Sequence, residues 1–167
     1  EDGLPKGDLG RIGIAIAPGK PNTVYAIVEA KKNALYKSED GGFKWKKIND
    51  KSDIGGRPFY YSEIYVDPQN ENRVYSVFTF VNVSEDGGKS FYRMNEKNKH
   101  GDNHAIAFKK NDPNYLIVGS DGGLYESFDL TKSWKYVENL PLTQYYKVAV
   151  DDAEPFYNIY GGTQDNS

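Results

Sequence analysis

A short repeated motif constrains this chain more than any other sequence feature. It occurs as SEDGGFKW at Ser38–Trp45 and as SEDGGKSF at Ser84–Phe91, and a degraded copy, SFDLTKSW, occupies Ser127–Trp134. The copies begin 46 and then 43 residues apart. A period in the low-to-mid forties is typical of four-stranded propeller blades or of some helical repeats.

The segments between the motifs alternate between apolar and polar residues, which indicates strands rather than helices. Each unit contains a first strand, a proline-containing turn, a second strand, a third strand that ends in the motif, and a fourth that begins at its aromatic residue. We therefore predict an all-β fold of about three and a half four-stranded propeller blades, at residues 8–50, 58–97, 100–139 and, incompletely, 142–167. Since a closed propeller needs about four to eight blades, we expect the chain to be a piece of a larger propeller.

The motif, which we call the box, has a structural explanation. Its aspartate accepts hydrogen bonds from the backbone of a turn, and the following glycines adopt backbone angles that other residues avoid. The tryptophan or phenylalanine then packs between neighbouring sheets. The residues assigned to this structural role are Ser38, Asp40, Gly42, Trp45, Ser84, Asp86, Gly88, Phe91, Ser127, Asp129 and Trp134.

Charge and composition exclude several classes of function. The chain has 21 basic and 24 acidic residues, a net charge of −3, and no cysteine. The charges are spread along the chain, so we expect neither a nucleic-acid surface nor a polybasic membrane patch. Apolar runs are too short to insert into a membrane. Without cysteine there is no thiolate nucleophile and no cysteine-ligated metal site.

The boxes resemble the bacterial neuraminidase repeat, or Asp box, of sialidase-like and sortilin-like propellers. The order of other segments strengthens the resemblance to secreted bacterial proteins with a propeller of the sortilin N-terminal type, often labelled glycosyl hydrolase. These segments are Gly10–Gly13, Pro58–Ser62, His100–His104, Ser120–Gly123 and Tyr160–Ser167. The resemblance implies a bladed propeller in a longer chain, export to the bacterial periplasm or cell surface, and a binding or scaffolding role.

Strand alternation predicts which loops share an end of the propeller. The segment that leads into each first strand and the loop between the second and third strands lie at one end, which we call the rim, and the box turns lie at the other. We predict a binding rim that contains Arg57, Tyr60, Tyr61, His100, Asp102, His104, Asp121, Gln144, Gln164, Asp165 and Asn166.

Both histidines of the chain lie in one rim segment, His100–His104. In an extended segment, residues i, i+2 and i+4 point to the same side, so His100, Asp102 and His104 would share a side. Together with Asp121 or Asp165, they are candidate ligands of a divalent metal such as zinc. The alternatives are a hydrogen-bonded network that orders the rim and a ligand or partner site, and overall we expect no cofactor.

Enzymatic activity is the main rival to binding. Glycoside hydrolysis needs two carboxylates that flank a sugar, and loop position makes Asp102, Asp121 and Asp165 the candidates. A sialidase would also need an arginine cluster, whereas the rim offers only Arg11 and Arg57. We therefore predict a binding or scaffold module for a protein, peptide or glycan partner, joined to the other blades and domains of a longer chain. The alternative is a xyloglucanase-like hydrolase, with sialidase less favoured.

Overall fold

The computed structural model describes residues 2–51, 54–56, 62–138, 140 and 145–163. These residues form 14 β-strands in four antiparallel sheets, which confirms the predicted all-β fold. Within the same ranges no helix is long and apolar enough to cross a membrane. The chain divides into two compact units, Glu1–Val137 and Glu138–Ser167.

The first unit contains three four-stranded sheets, each with its strands in chain order. The first sheet consists of β1 (Ile12–Ile16), β2 (Val24–Val28), β3 (Ala34–Ser38) and β4 (Lys46–Asn49). The second consists of β5 (Glu63–Asp67), β6 (Asn70–Val77), β7 (Val81–Ser84) and β8 (Tyr92–Arg93). The third consists of β9 (Asn103–Phe108), β10 (Leu116–Ser120), β11 (Gly123–Ser127) and β12 (Lys135–Tyr136). Each fourth strand begins one residue after the aromatic residue of the box rather than at it.

The second unit contains a two-stranded antiparallel sheet of β13 (Tyr145–Val150) and β14 (Ile159–Thr163). The turn between these strands is organised by Asp151, whose carboxylate accepts hydrogen bonds from the backbone of Ala153 and Asn158 and from the Tyr160 hydroxyl. These bonds hold the pKa of Asp151 well below its usual range.

Two hydrophobic clusters of the first unit lie between its sheets, and a third, which includes Val28 and Tyr36, lies on the other face of the first sheet. One cluster joins the first two sheets and includes Tyr25, Leu35, Ile64 and Val74. A second cluster joins the second and third sheets and includes Val77, Val83, Ile106, Leu116 and Val118. Burying one such side chain contributes about 1.5–3 kcal/mol, so face-to-face packing of successive sheets is the main source of stability.

The box turns follow one hydrogen-bonding pattern in all three sheets. The serine hydroxyl donates to the aspartate and accepts the amide of the residue four positions after the serine, at 2.9 Å for Gly42, 2.8 Å for Gly88 and 2.8 Å for Thr131. The aspartate accepts the amide four positions after itself at 2.9 Å in each box. The degraded copy keeps the shape without glycine, since Leu130 and Thr131 adopt φ of 59° and 74°.

Each box turn is also tied to the backbone that leads into the second strand of its own sheet, either in the loop before that strand or, for Asn72, near the start of β6. The amides of Gly41, Gly87 and Leu130 donate to the carbonyls of Asn22, Asn72 and Asn114 at 2.9, 2.9 and 3.0 Å. The box turns therefore lie at the end of each sheet that carries this loop, as strand alternation predicts.

Candidate functional site

The rim is formed where loops of neighbouring sheets meet. Asp102 donates its amide to the carbonyl of Thr79 at 2.8 Å, and Asn103 donates its amide to Phe78 at 3.1 Å. Phe78 and Thr79 lie in the turn between β6 and β7. The amide of Asp121 in turn donates to the carbonyl of Asp102 at 3.2 Å. Loops from the second and third sheets are thus bonded backbone to backbone, and they carry the predicted segment His100–His104.

The structure brings together two predicted rim side chains, His104 and Asp121. His104 is the second residue of β9, and Asp121 lies in the turn between β10 and β11. Nε2 of the histidine lies 2.6 Å from a carboxylate oxygen of the aspartate. The two side chains remain 27% and 46% exposed, so the pair lies at the surface, where an incoming ligand can contact it.

The candidate metal site does not form among the described residues. No group of three or more histidine, aspartate or glutamate side chains in these ranges is placed to hold a metal ion, so His100, Asp102 and His104 do not converge there. The alternation argument required an extended backbone from 100 to 104, but Asp102 has a φ of 48° and β9 begins only at Asn103. His100 instead lies against Gly122, where an added Cβ would lie 2.4 Å from the histidine Cβ.

An ion pair that sequence reasoning missed joins the first two sheets at the rim. The Arg11 guanidinium lies 2.5 Å from the carboxylate of Glu63, the first residue of β5. The backbone amide of Arg11 donates to Glu29 at 2.8 Å. The absence of a side chain at Gly10 leaves room for the Glu29 carboxylate, because a Cβ at residue 10 would lie 2.3 Å from Glu29 Oε2. Arg11 was assigned to the rim, but no sequence spacing identified its partners.

A buried lysine holds the segment that carries the predicted site. The Lys99 side chain is 0% exposed, and its ammonium group donates to Glu96 at 3.3 Å, to the His100 carbonyl at 2.8 Å and to the Asn103 side chain. Each of the three N–H donors of the ammonium group can therefore bond to one of these acceptors. Burial lowers the pKa of Lys99, and the neighbouring carboxylate opposes this change.

The same lysine lies near two aromatic rings of the third sheet. Its ammonium group is 5.7 Å from the ring centroid of Tyr125 and 5.6 Å from that of Trp134. Cation–π attraction of this kind adds to the hydrogen bonds when the cation is desolvated. Nothing in the local sequence distinguishes Lys99 from Lys97, so this network becomes visible only in three dimensions.

The described part of the rim contains the Arg11–Glu63 ion pair, the contact between His104 and Asp121, and two of the candidate catalytic carboxylates. Asp102 and Asp121 are adjacent through their backbones, and Asp121 is engaged by His104. The remaining predicted rim residues lie outside the described residues, and their place on the rim stays a prediction; they are Arg57, Tyr60, Tyr61, Gln144, Gln164, Asp165 and Asn166.

Successive four-stranded antiparallel sheets, packed face to face and closed by equivalent turns, define a β-propeller. The sequence profile of the Sortilin-Vps10 family, described as sortilin, neurotensin receptor 3, matches residues 33–164. The chain therefore belongs to this family. We found no match among curated proteins.

Solved structures with the same fold include two enzymes and one peptide complex. The GH74 enzyme of Niastella koreensis is 15% identical with a TM-score of 0.62, and the alignment covers 83% of this chain and 24% of the enzyme. The GH74 xyloglucanase of Xanthomonas campestris is 16% identical with a TM-score of 0.61, again with 83% covering 24%. YCF48 bound to D1 peptide is 15% identical with a TM-score of 0.55, and 95% of this chain covers 56% of that one.

These likenesses confirm the propeller fold. The chain spans about a quarter of the length of the two GH74 enzymes and about half that of YCF48.

Proposed function

We propose that this chain is part of an exported bacterial binding propeller whose rim engages a protein, peptide or glycan partner. The other blades and domains belong to a longer protein. In this proposal, the described contact surface centres on His104 and Asp121.

The pairing of charged groups at the rim carries this proposal. Arg11 with Glu63 presents both signs of charge side by side, and His104 with Asp121 presents a polar pair at 2.6 Å, while each side chain remains at least about one quarter exposed. Such pairs exchange partners readily with a ligand that offers amides, carboxylates or hydroxyl groups, because half-exposed ion pairs hold each other by only about 1 kcal/mol or less. A glycosidase instead needs two carboxylates dedicated to one sugar.

Peptide binding by a structural neighbour supports the same interpretation. YCF48 was solved with D1 peptide bound, so a protein with this fold can bind a peptide. Membership of the Sortilin-Vps10 family gives the binding proposal a second, independent basis.

The test uses the intact protein, a displayed library of random peptides and an array of glycans. Ligands selected from either source are measured again on His104→Ala, for which we expect about a tenfold or greater loss of affinity, since a hydrogen-bonded charged contact contributes about 1.5–3 kcal/mol. Lys110→Ala is the matched control, because Lys110 is exposed and lies in the loop between β9 and β10, at the end of the third sheet opposite the rim.

Hydrolysis by the intact protein would overturn the proposal. Xyloglucan, β-glucans and sialosides are the substrates to assay. Sugar release that is lost in Asp102→Asn or Asp121→Asn would establish the glycosidase alternative. Selected ligands that bind His104→Ala and Lys110→Ala equally would move the binding surface away from the described rim.

Export is a separate part of the proposal. It predicts that the intact protein is recovered from the periplasm, the cell surface or the culture medium after fractionation of the source bacterium. Recovery with the cytoplasmic fraction would contradict it without affecting the binding proposal.

A further inference from the structure

Positive charge is concentrated in the first sheet, contrary to the even spread expected from the sequence. Residues 2–50 contain eight lysines and one arginine but only six carboxylates. The whole chain nevertheless has a net charge of −3, so the remainder is acidic. A basic region on an acidic protein attracts anionic ligands to one place.

Part of this charge lines a cleft between the first and second sheets. The cleft has a volume of about 500 Å³, and four lysines line it: Lys37, Lys44, Lys46 and Lys89. Both walls belong to the first unit, because Lys89 lies within the second box while the other three lysines lie in or next to the first. The cleft is bordered by two box turns and is distinct from the rim.

The carboxylates of the cleft are already used by the protein. Asp40 accepts the amides of Phe43 and Lys44 at 3.1 and 2.9 Å, and Asp86 accepts the amide and hydroxyl of Ser90 at 2.9 and 2.6 Å. Glu39 pairs with Lys37 at 2.9 Å. The three acidic groups are therefore committed to turns or to one lysine.

Three ammonium groups of the cleft remain available. Within the part of the chain that the structure describes, the side chains of Lys44, Lys46 and Lys89 form no hydrogen bond or ion pair, and all three residues are exposed. Lysine presents a compact charge on a flexible stem, so three lysines suit anionic groups spaced along a chain.

Aromatic and aliphatic surface accompanies these charges. Trp45 and Ile48 also line the cleft. The indole N–H of Trp45 is satisfied by the carbonyl of Gly42 at 2.8 Å, and the residue remains partly exposed. A ring with its polar group satisfied offers apolar surface to the face of a sugar.

We propose that this cleft binds an acidic glycan, a saccharide chain that carries carboxylate or sulfate groups. The sugar rings contact Trp45 and Ile48, and the anionic substituents pair with Lys44, Lys46 and Lys89. Two features favour a glycan over nucleic acid or a membrane: the cleft contains no arginine, the residue best suited to bidentate phosphate contacts, and its apolar groups line a concavity. The site is independent of the function proposed for the rim.

Calorimetric titration of the full chain with a defined oligogalacturonate tests this inference. A neutral cello-oligosaccharide of equal length is the ligand control. We expect the acidic probe to bind with an affinity that falls as salt is added and the neutral probe to bind at least tenfold more weakly. The Lys46→Gln, Lys89→Gln double variant should lose about tenfold in affinity. Each exposed charge pair contributes up to about 1 kcal/mol, and about 1.4 kcal/mol in total corresponds to tenfold.

The matched control variant carries Lys109→Gln and Lys110→Gln, which remove two exposed lysines away from the cleft. It should bind within about twofold of wild type. As a second measurement on the unmodified sequence, the bound probe should slow acetylation of Lys44, Lys46 and Lys89 but not of Lys110.

Three results would overturn the inference: no binding of the acidic probe, equal binding of the neutral one, or binding that both double variants retain. Duplex DNA and vesicles that contain anionic phospholipid are titrated in parallel. If either binds through these lysines while the oligogalacturonate does not, the ligand class is wrong.

Discussion

At the scale of single residues, hydrogen bonds to charged side chains decide the local structure. The box aspartates illustrate this best. Partial burial raises the pKa of Asp86, but hydrogen bonds from Ser90, Ser84 and the Lys89 backbone outweigh that effect and lower the pKa to about 2. The folded protein therefore binds a proton at Asp86 less readily than the unfolded chain does.

Acid should weaken this contribution in a defined range. Because the folded pKa lies below the ordinary value of 3.8, the stability from Asp86 is present above about pH 4 and is lost as the pH falls towards 2. Asp86→Asn should cost about 1 kcal/mol at neutral pH and should flatten the fall in unfolding free energy between these values. Urea denaturation over a pH series measures both effects.

Asp8→Asn is the control for this experiment, since Asp8 is exposed and lies outside the boxes. It should keep the acid dependence of the wild type. An Asp86→Asn variant with an unchanged acid slope would show that the box carboxylate does not govern acid stability.

The buried lysine provides a second prediction at this scale. Lys99→Met removes one of the two cations that contact Glu96, which keeps Arg93 at 3.3 Å, and it leaves the Asn103 side-chain oxygen without the ammonium donor. Buried polar groups that lose a partner in this way cost about 1–3 kcal/mol. The Lys99→Met, Glu96→Gln double variant should recover part of that loss. Chemical denaturation of the two single variants and the double variant gives the coupling free energy, and a value below about 0.5 kcal/mol would mean that the pair does not act as a unit.

Single residues are also where sequence reasoning was least accurate. The alternation rule placed His100, Asp102 and His104 on one side because it assumed an extended backbone. One left-handed residue, Asp102, breaks that assumption. The partners of Lys99 and Arg11 were missed because these pairs depend on loop geometry rather than on spacing, whereas the proximity of His104 to Asp121 follows from the predicted loop positions.

At the scale of elements, the sequence was far more informative. Alternating apolar residues marked each first and second strand, such as β5 and β6, because one side of each strand packs on a neighbouring sheet. The box marked the turn between third and fourth strands. The lengths of β8 and β12, only two residues each, were not predictable, since edge strands have few neighbours to constrain them.

Packing of a box turn against the preceding sheet can be tested at a pair of equivalent glycines. Gly88 has a φ of 88°, and an added Cβ would lie 2.3 Å from Leu35 Cδ2. Gly42 occupies the same place in the first box with a φ of 101°, but its added Cβ would meet nothing closer than Trp45 Cζ2 at 3.6 Å. Both alanine variants suffer backbone strain, and only Gly88→Ala also overpacks the core.

We therefore expect Gly88→Ala to lose about 1–3 kcal/mol more than Gly42→Ala. Thermal melts of the two variants under identical conditions give the difference. Equal losses would indicate that Leu35 adopts another rotamer without cost, and that the contact between these sheets is adaptable.

At the scale of the whole molecule, the faces of the first unit differ in how they are covered. The face of β1 that carries Ile12, Ile14 and Ile16 leaves these side chains 43%, 62% and 57% exposed. Ile64 of β5, which lies between the first two sheets, is only 4% exposed. Neighbouring exposed apolar side chains promote association.

We expect the 167-residue chain to self-associate through this face. Ile14→Thr should reduce association while changing the unfolding free energy by less than about 0.5 kcal/mol, whereas Ile64→Thr should destabilise the fold strongly. Sedimentation velocity and denaturation distinguish the two effects. Association that persists in Ile14→Thr would show that the chain associates through another surface.

The ties between box turns and the neighbouring loops have a consequence for how such a protein can vary. Each turn is fixed by its own serine and aspartate and again by an asparagine carbonyl at or just before the start of the second strand, so inserting a residue there breaks several bonds at once. The repeated pattern in three sheets makes that end intolerant of length changes. Insertions and grafted peptides belong at the opposite end, in exposed tips such as residues 31–32 between β2 and β3, which lie outside the backbone bonds that join the other rim loops. New recognition can be added there to an unchanged framework.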